Sequence, residues 1–349
     1  MALTSRSAGA AAAVSSGRRP LLVAIGGDSG TGKSTLAAGF SRIFGEERIT
    51  TLCLDDYHGL DRRERKLIGI TALDPRANNF YLMETQLLEL SQGRTIAKPV
   101  YDHHDGTFAA PEELCPREVV IVQGLHPFLV PGVRALFDLK VWLDPEEALK
   151  HSWKVQRDVA NRGYSPEAVE REIEARRPDV EAHIEPQREF ADLVVRFYRS
   201  DPNADDGHLN VRITTRATLP RLDLDGLLGE ARSGLRAYDG EDDGQSAHIL
   251  DIDGSITRET VRGVEDRIWQ HMHERHQHLR HLAPRQFGAF ADGEMKRHHS
   301  DPLALTQLLL VHRILSATKR LLVRVPESAH EALDHAHELP MVGADHEHL

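Results

Sequence analysis

Residues 27–34 read GDSGTGKS, directly after an apolar run and directly before a helical pattern. Gly27, Gly30 and Gly32 let the backbone curl until successive N–H groups point inward, which a Cβ at those positions would obstruct. Such a loop, completed by Asp28, Ser29, Thr31 and Thr35, cradles the phosphates of a nucleotide. Lys33 reaches the β- and γ-phosphates, and the Ser34 hydroxyl is placed to ligate Mg²⁺. A helix expected over Lys33–Phe44 adds its positive dipole end to the same anion. The chemistry is that of a protein that uses ATP with Mg²⁺.

A second group follows in LCLDDYHGLDRRERK, residues 52–66. Residues at a strand's carboxyl end project into the ligand crevice of an open α/β sheet, so Asp55, Asp56 and His58 should face the cleft that holds Lys33. One carboxylate there, Asp55, can take a proton from an attacking hydroxyl, and its partner Asp56 can hold metal or orient the base. Arg62 and Arg65 can clamp a second phosphate, whereas Arg63 and Glu64 read as a solvated helix face.

VVIVQGLHPF, residues 119–128, has the form of a Walker B strand, in which an acidic residue normally follows the apolar run. Gln123 stands there instead; it can hydrogen-bond a metal-bound water but brings no negative charge. In HSWKVQRDVANRGY, residues 151–164, Lys154 and Asp158 share a helix face with Arg157 and Arg162 nearby. Spacing alone leaves two readings open for them, a surface ion-pair ladder or a functional face.

Positioning these groups requires strands that end where the polar residues begin. Buried strands are expected at 20–26, 49–54, 118–122, 139–143 and 192–198, separated by helical patterns at 83–91, 145–161 and 166–176. That alternation implies an α/β fold of the P-loop type, three layers around a mostly parallel sheet. Beyond the turn-rich DPNADDG (201–207), residues 209–215 alternate like an antiparallel strand. DGEDDGQ (239–245) reads as another break, 247–252 as a strand, and 257–275 and 303–314 as helices. The expected organisation is a tail (1–19), a kinase core (20–200), a C-terminal α+β elaboration completing the same domain (201–330) and a second tail (331–349).

Composition excludes several functions. The net charge of −11 argues against a general nucleic-acid binder, and no apolar run approaches the roughly 20 residues of a membrane span. The two cysteines, Cys53 and Cys115, suit a reducing compartment and rule out a disulfide framework. The Ala/Ser/Arg-rich first 19 residues are expected to be a disordered tail rather than a targeting segment, which favours the cytoplasm over a plastid stroma. The histidines of 271–281 read as a solvated helix, and Trp142 and Trp153 as core or interface anchors.

Taken in order, GDSGTGKST, LDDYHGLDR, ITALDPRANNF (70–80), PVYDHHDG (99–106), QGLHP and KVQRDVANRGY resemble the phosphoribulokinases, above all their plant and cyanobacterial form. The resemblance spans roughly residues 20–325. It implies a homodimeric kinase that phosphorylates the C1 hydroxyl of ribulose 5-phosphate, with Asp55 as base. It further implies that His58, Arg62 and His103 bind the sugar phosphate, and that Lys154, Arg157, Asp158 and Arg162 serve substrate binding and transfer.

Three departures stand out against that pattern. Gln123 replaces the family's Walker B glutamate, which implies either severely lowered activity or a metal role carried by Asp56 or Asp158. Tyr81 replaces an aspartate, read as a local surface change. Cys53 matches a regulatory cysteine whose partner in the phosphate loop is missing, which removes that disulfide switch. Two alternatives remain: a uridine-kinase-like nucleoside kinase, and a catalytically weak nucleotide-binding scaffold motivated by Gln123.

Overall fold

The computed structural model describes residues 19–200, 208–229, 233–272, 276, 279–282, 287–291 and 296–321. The two expected tails, the DPNADDG turn and much of the histidine-rich segment lie, wholly or almost wholly, outside the described residues.

The chain runs β1 (Leu21–Gly26), α1 (Lys33–Phe44), β2 (Ile49–Cys53), α2 (Arg62–Ile68), α3 (Phe80–Ser91), β3 (Ile96–Asp102), β4 (Thr107–Leu114), β5 (Val119–Gln123), α4 (Pro131–Ala135) and β6 (Leu139–Leu143). It continues with α5 (Glu147–Arg162), α6 (Pro166–Asp179), β7 (Leu193–Tyr198), β8 (Asn210–Arg216), α7 (Leu224–Leu228), β9 (Leu235–Asp242), β10 (Gln245–Ile252) and α8 (Arg258–His271). The last described elements are α9 (Leu279–Leu282), β11 (Ala289–Ala291), β12 (Arg297–His299) and α10 (Asp301–Leu321).

An eight-stranded sheet in the order β2-β5-β1-β6-β7-β8-β10-β9 forms the middle layer. From β2 to β7 its pairings are parallel, and β8, β10 and β9 add antiparallel strands at one side. Every residue of β1 is buried, as expected for a strand covered on both faces. Leu21, Val23 and Ile25 point into a core shared with α1, α8 and α10, while Leu22 and Ala24 point into a second core with α3 and α4. Each fully buried Leu, Ile or Phe there contributes roughly 1.5–3 kcal/mol of transfer free energy, which is what fixes the strand ends that carry the polar groups.

α10 presses directly on α1. A Cβ on Gly39 of α1 would sit 2.2 Å from the Gln307 amide nitrogen of α10, so glycine is what permits the approach. The Gln307 carbonyl oxygen in turn accepts from Gly288 N at 2.9 Å, tying in the segment that leads to β11.

Two elements differ from expectation. β3 and β4 form a separate hairpin where no strand was expected, because β4 is exposed along nearly its whole length and carries no alternation to read. The DGEDDGQ stretch is not a break but a hairpin: β9 continues to Asp242 and pairs back through Gln245. The turn residues Asp243 and Gly244 both have positive φ, the Asp-Gly geometry that matches strand twist.

Candidate active site

The glycine-rich loop joins β1 to α1 in a conformation that only glycine allows. At Gly27, φ is +142° and a Cβ would lie 2.7 Å from the Leu143 carbonyl oxygen; at Gly30, φ is +87° and a Cβ would lie 2.9 Å from Lys154 Cβ. Gly32, also left-handed, caps α1 with no side-chain bond, so the first amides of the helix stay open to an anion. Lys33 Nζ donates to the carbonyls of Gly27 (2.9 Å) and Asp28 (2.6 Å), folded back over the loop that it serves. Burial lowers the Lys33 pKa, against which Asp55 and Asp28 favour the charged form. Helix α5 braces the loop: Lys150 pairs with Asp28 at 3.4 Å, and Arg157 donates to the Ser29 hydroxyl at 3.0 Å.

Asp55 sits just past the end of β2 in a short helical turn, Leu54–Tyr57, and lines the same cleft as Lys33. Burial opposes its ionisation, but Lys33 and then His58, His103 and His126 hold the carboxyl below its ordinary range. The carboxyl is therefore biased toward its charged form on the wall of the cleft that Lys33 also lines. His58 is buried with Nδ1 2.9 Å from the Asn78 side-chain oxygen, and burial lowers its pKa. His103 reaches the cleft from the β3–β4 turn.

His126, not singled out in the sequence, is buried behind Asp55 with its ring edge-on to Phe80 at 5.7 Å. Burial pushes its pKa down to about 4, so at neutral pH it adds no positive charge to this group.

Three expectations change here. Asp56 is no metal ligand: its carboxylate oxygens take Lys98 Nζ at 2.5 Å and Tyr101 N at 3.0 Å, turned away toward the hairpin. Arg62 does not line the cleft; its guanidinium donates to the carbonyls of His103 (2.5 Å) and His104 (3.2 Å) in the hairpin turn. Arg65 is buried and bonded to Leu60 O and Tyr101 Oη, so it clamps protein rather than phosphate.

The α5 residues form one charged cluster, in which Arg157 and Arg162 line the cleft and Lys154 and Asp158 are a buried hub. The Asp158 side chain is fully buried and pairs with Lys154 at 2.8 Å, Arg157 at 2.8 Å and Arg162 at 3.3 Å. Its pKa is lowered, with burial opposing and Arg157, Lys154 and Arg162 outweighing it. With its oxygens committed in this way, Asp158 does not substitute for the missing Walker B acid. It holds Arg157 and Arg162 at the cleft wall.

Gln123, aligned with Cys53 of β2 and Ile25 of β1, lies at the cleft floor with its side-chain oxygen buried and unbonded. An acceptor left like that is suited to a water or metal-bound water, since an unmet buried polar atom costs about 1–3 kcal/mol. Together with the exposed Ser34 hydroxyl it fits a divalent ion brought in on a nucleotide. Among the described residues, no group of three or more His, Cys, Asp or Glu could hold a metal by itself.

The cleft encloses about 460 Å³. Its far wall, beyond the loop, is apolar: Trp153, Phe197, Leu209, Phe290 and Leu303. Trp142 is core, and Trp153 packs half-buried against the core from this wall, edge-on to Phe197 at 6.2 Å, where it offers apolar surface to a nucleotide base. Trp153→Ala should weaken ATP binding by roughly 1–2 kcal/mol, about tenfold, in a calorimetric titration. An unchanged affinity would remove Trp153 from the base site.

A glycine-rich loop, an apolar wall and a carboxyl of lowered pKa thus share one cleft. The model of the phosphoribulokinase/uridine kinase family matches residues 22–201. The chain belongs to this family.

Among its relatives, the phosphoribulokinase of Synechocystis sp. is 40% identical over 255 residues, covering 68% of this chain and 77% of the relative. The chloroplastic phosphoribulokinase of Mesembryanthemum crystallinum is 34% identical over 275 residues, 68% of this chain and 69% of the relative. The solved phosphoribulokinase from Rhodobacter spheroides shares the fold, with a TM-score of 0.53 at 20% identity over 72% of this chain and 99% of that one.

Within the family pattern, Tyr81 is 82% exposed on α3, a surface change as expected. Cys53 lines the cleft as a free thiol whose pKa burial pushes up to about 12, which disfavours its thiolate, and Cys115 is free and exposed beside Thr95.

Proposed function

We propose that this chain is an ATP-dependent kinase that transfers the γ-phosphoryl group to the C1 hydroxyl of ribulose 5-phosphate, giving ribulose 1,5-bisphosphate and ADP. The observation that carries the reading is Asp55, a carboxyl held below its ordinary pKa range on the wall of one cleft with Lys33, His103, Arg157 and Arg162. The phosphoribulokinase relatives, matched well beyond the loop, support the pentose over a nucleoside acceptor.

Asp55 takes the C1 proton as that oxygen attacks the γ-phosphorus, and ADP leaves with the electron pair of the broken P–O bond. Lys33 and the open amides of the loop hold the donor phosphates, while Arg157 and Arg162 offset the repulsion between two polyanions. Ser34 and, through water, Gln123 would hold an Mg²⁺ brought in with ATP, which would supply positive charge against that of the phosphates. His58 and His103 orient the acceptor on the side of Asp55. A homodimer in the cytoplasm completes this reading; the two free cysteines support a reducing compartment.

The test is ADP release with Mg·ATP and ribulose 5-phosphate, uridine or no acceptor. Release that depends on ribulose 5-phosphate is expected. Tight ATP binding with no acceptor-dependent release would favour the scaffold reading that Gln123 motivates. Gln123→Glu should raise the rate by about tenfold, ~1.4 kcal/mol of barrier, by returning a charge to the metal-bound water. An equal rate in the variant would show that the nucleotide already supplies all the charge the ion needs.

A further inference from the structure

The β3–β4 hairpin stands apart from the main sheet, and β4 is exposed almost throughout, so packing on that strand cannot fix where its turn points. Its turn nevertheless carries His103 to the cleft. What fastens the arm is polar and specific. A register shift between Lys98 and Val100, around Pro99, brings Lys98 Nζ and Tyr101 N to the same carboxylate, that of Asp56. Lys98 is 7% exposed and is shared with Glu112 of β4 at 2.9 Å, so one buried ammonium joins both strands of the arm to the residue next to Asp55.

From that root the coupling continues outward. The Tyr101 ring lies edge-on between His58 (4.7 Å) and His103 (5.1 Å). At the tip, Arg62 N donates to Gly106 O at 2.8 Å, and the Arg62 side chain holds the carbonyls of His103 and His104.

We propose that Asp56 is a positioning residue for the acceptor: both of its oxygens are spent on the β3–β4 arm, and fastening that arm holds His103 beside Asp55. The inference rests on the proposed sugar-phosphate acceptor, and it gives Asp56 a role in acceptor affinity and none in metal binding.

Asp56→Asn and Lys98→Met in the full chain test it. Each should raise KM for ribulose 5-phosphate by roughly tenfold while KM for ATP and the Mn²⁺ concentration for half-maximal rate stay as in the unaltered protein. Asp56→Asn should add little on top of His103→Ala, because both act through one side chain. A shift in the Mn²⁺ requirement, or effects that multiply in the double variant, would overturn the proposal.

An activity-independent measurement separates it from the functional reading. In ligand-free protein with ¹⁵N-labelled histidine, the His103 ring signal, assigned by its loss in His103→Ala, should broaden or move in both variants. If it is unchanged, the fastening is wrong, whatever the enzyme phosphorylates. If it moves but the unaltered protein turns over no sugar phosphate, the fastening stands and the acceptor assignment fails. Should Asp56→Asn not fold, Lys98→Met, which leaves the Tyr101 bond to Asp56, carries the same expectations.

Discussion

Asp55→Asn should lower acceptor-dependent ADP release by about 10²–10⁴-fold, the usual contribution of a positioned general base. Asparagine keeps the shape and an acceptor oxygen but cannot take the C1 proton. ATP affinity, measured by calorimetry, should change little. Asp55 is one of the charges that keep buried Lys33 protonated, yet Asp28 does the same and bound triphosphate brings more negative charge than the variant removes. The pH profile sharpens the test. Because Lys33 and the surrounding histidines hold the Asp55 carboxyl below the ordinary range, loss of the base by protonation belongs below that range, and near neutrality the rate should not track it. A fully active variant would refute the assignment of the base.

The second large effect is on stability. Asp158→Ala should lower folding stability by roughly 3 kcal/mol, the low end for breaking a buried ion pair, because Arg157 and Arg162 keep some water around them. Their side chains are 33% and 32% exposed, whereas Lys154 is 7% exposed and would keep only Glu172, at 3.2 Å, as its carboxylate partner. For a chain of this size that corresponds to a melting temperature lower by about 4 °C in a calorimetric scan. Activity should fall as well, since Arg157 also holds the Ser29 hydroxyl of the phosphate loop. A melting temperature unchanged in Asp158→Ala would show that these cations do not depend on the buried carboxylate.

The parts of this site that were legible in the sequence are those written locally. The loop is legible because glycine spacing, lysine and serine lie within a few residues, and the parallel strands because burial on both faces leaves uninterrupted apolar runs. Asp55 could be assigned from its place at a strand end. Asp56, its neighbour, was misread because its partners Lys98 and Tyr101 lie 42 and 45 residues away on a hairpin that has no pattern of its own. Arg62 was misread for a related reason: a guanidinium that binds backbone carbonyls leaves no trace in the identity of its partners. His126 was passed over because nothing near it in sequence marks a buried neighbour of Asp55, and Trp153, read as a core or interface anchor, lies on the cleft wall, a place that sequence does not tell from the core. The β9–β10 turn, by contrast, could have been found from Asp243-Gly244, had the surrounding acidic residues not suggested a solvent loop.

The contact between Gly39 and Gln307 bears on how the protein is made. The phosphate loop lies near the start of the described chain, but the helix that carries Lys33 and Ser34 is seated against α10, and the base-side wall includes Phe290 and Leu303. During synthesis the loop leaves the ribosome more than 250 residues ahead of those partners. A nascent chain therefore holds the phosphate-binding sequence long before it holds the helix that seats it or the residues that complete the apolar side of its cleft.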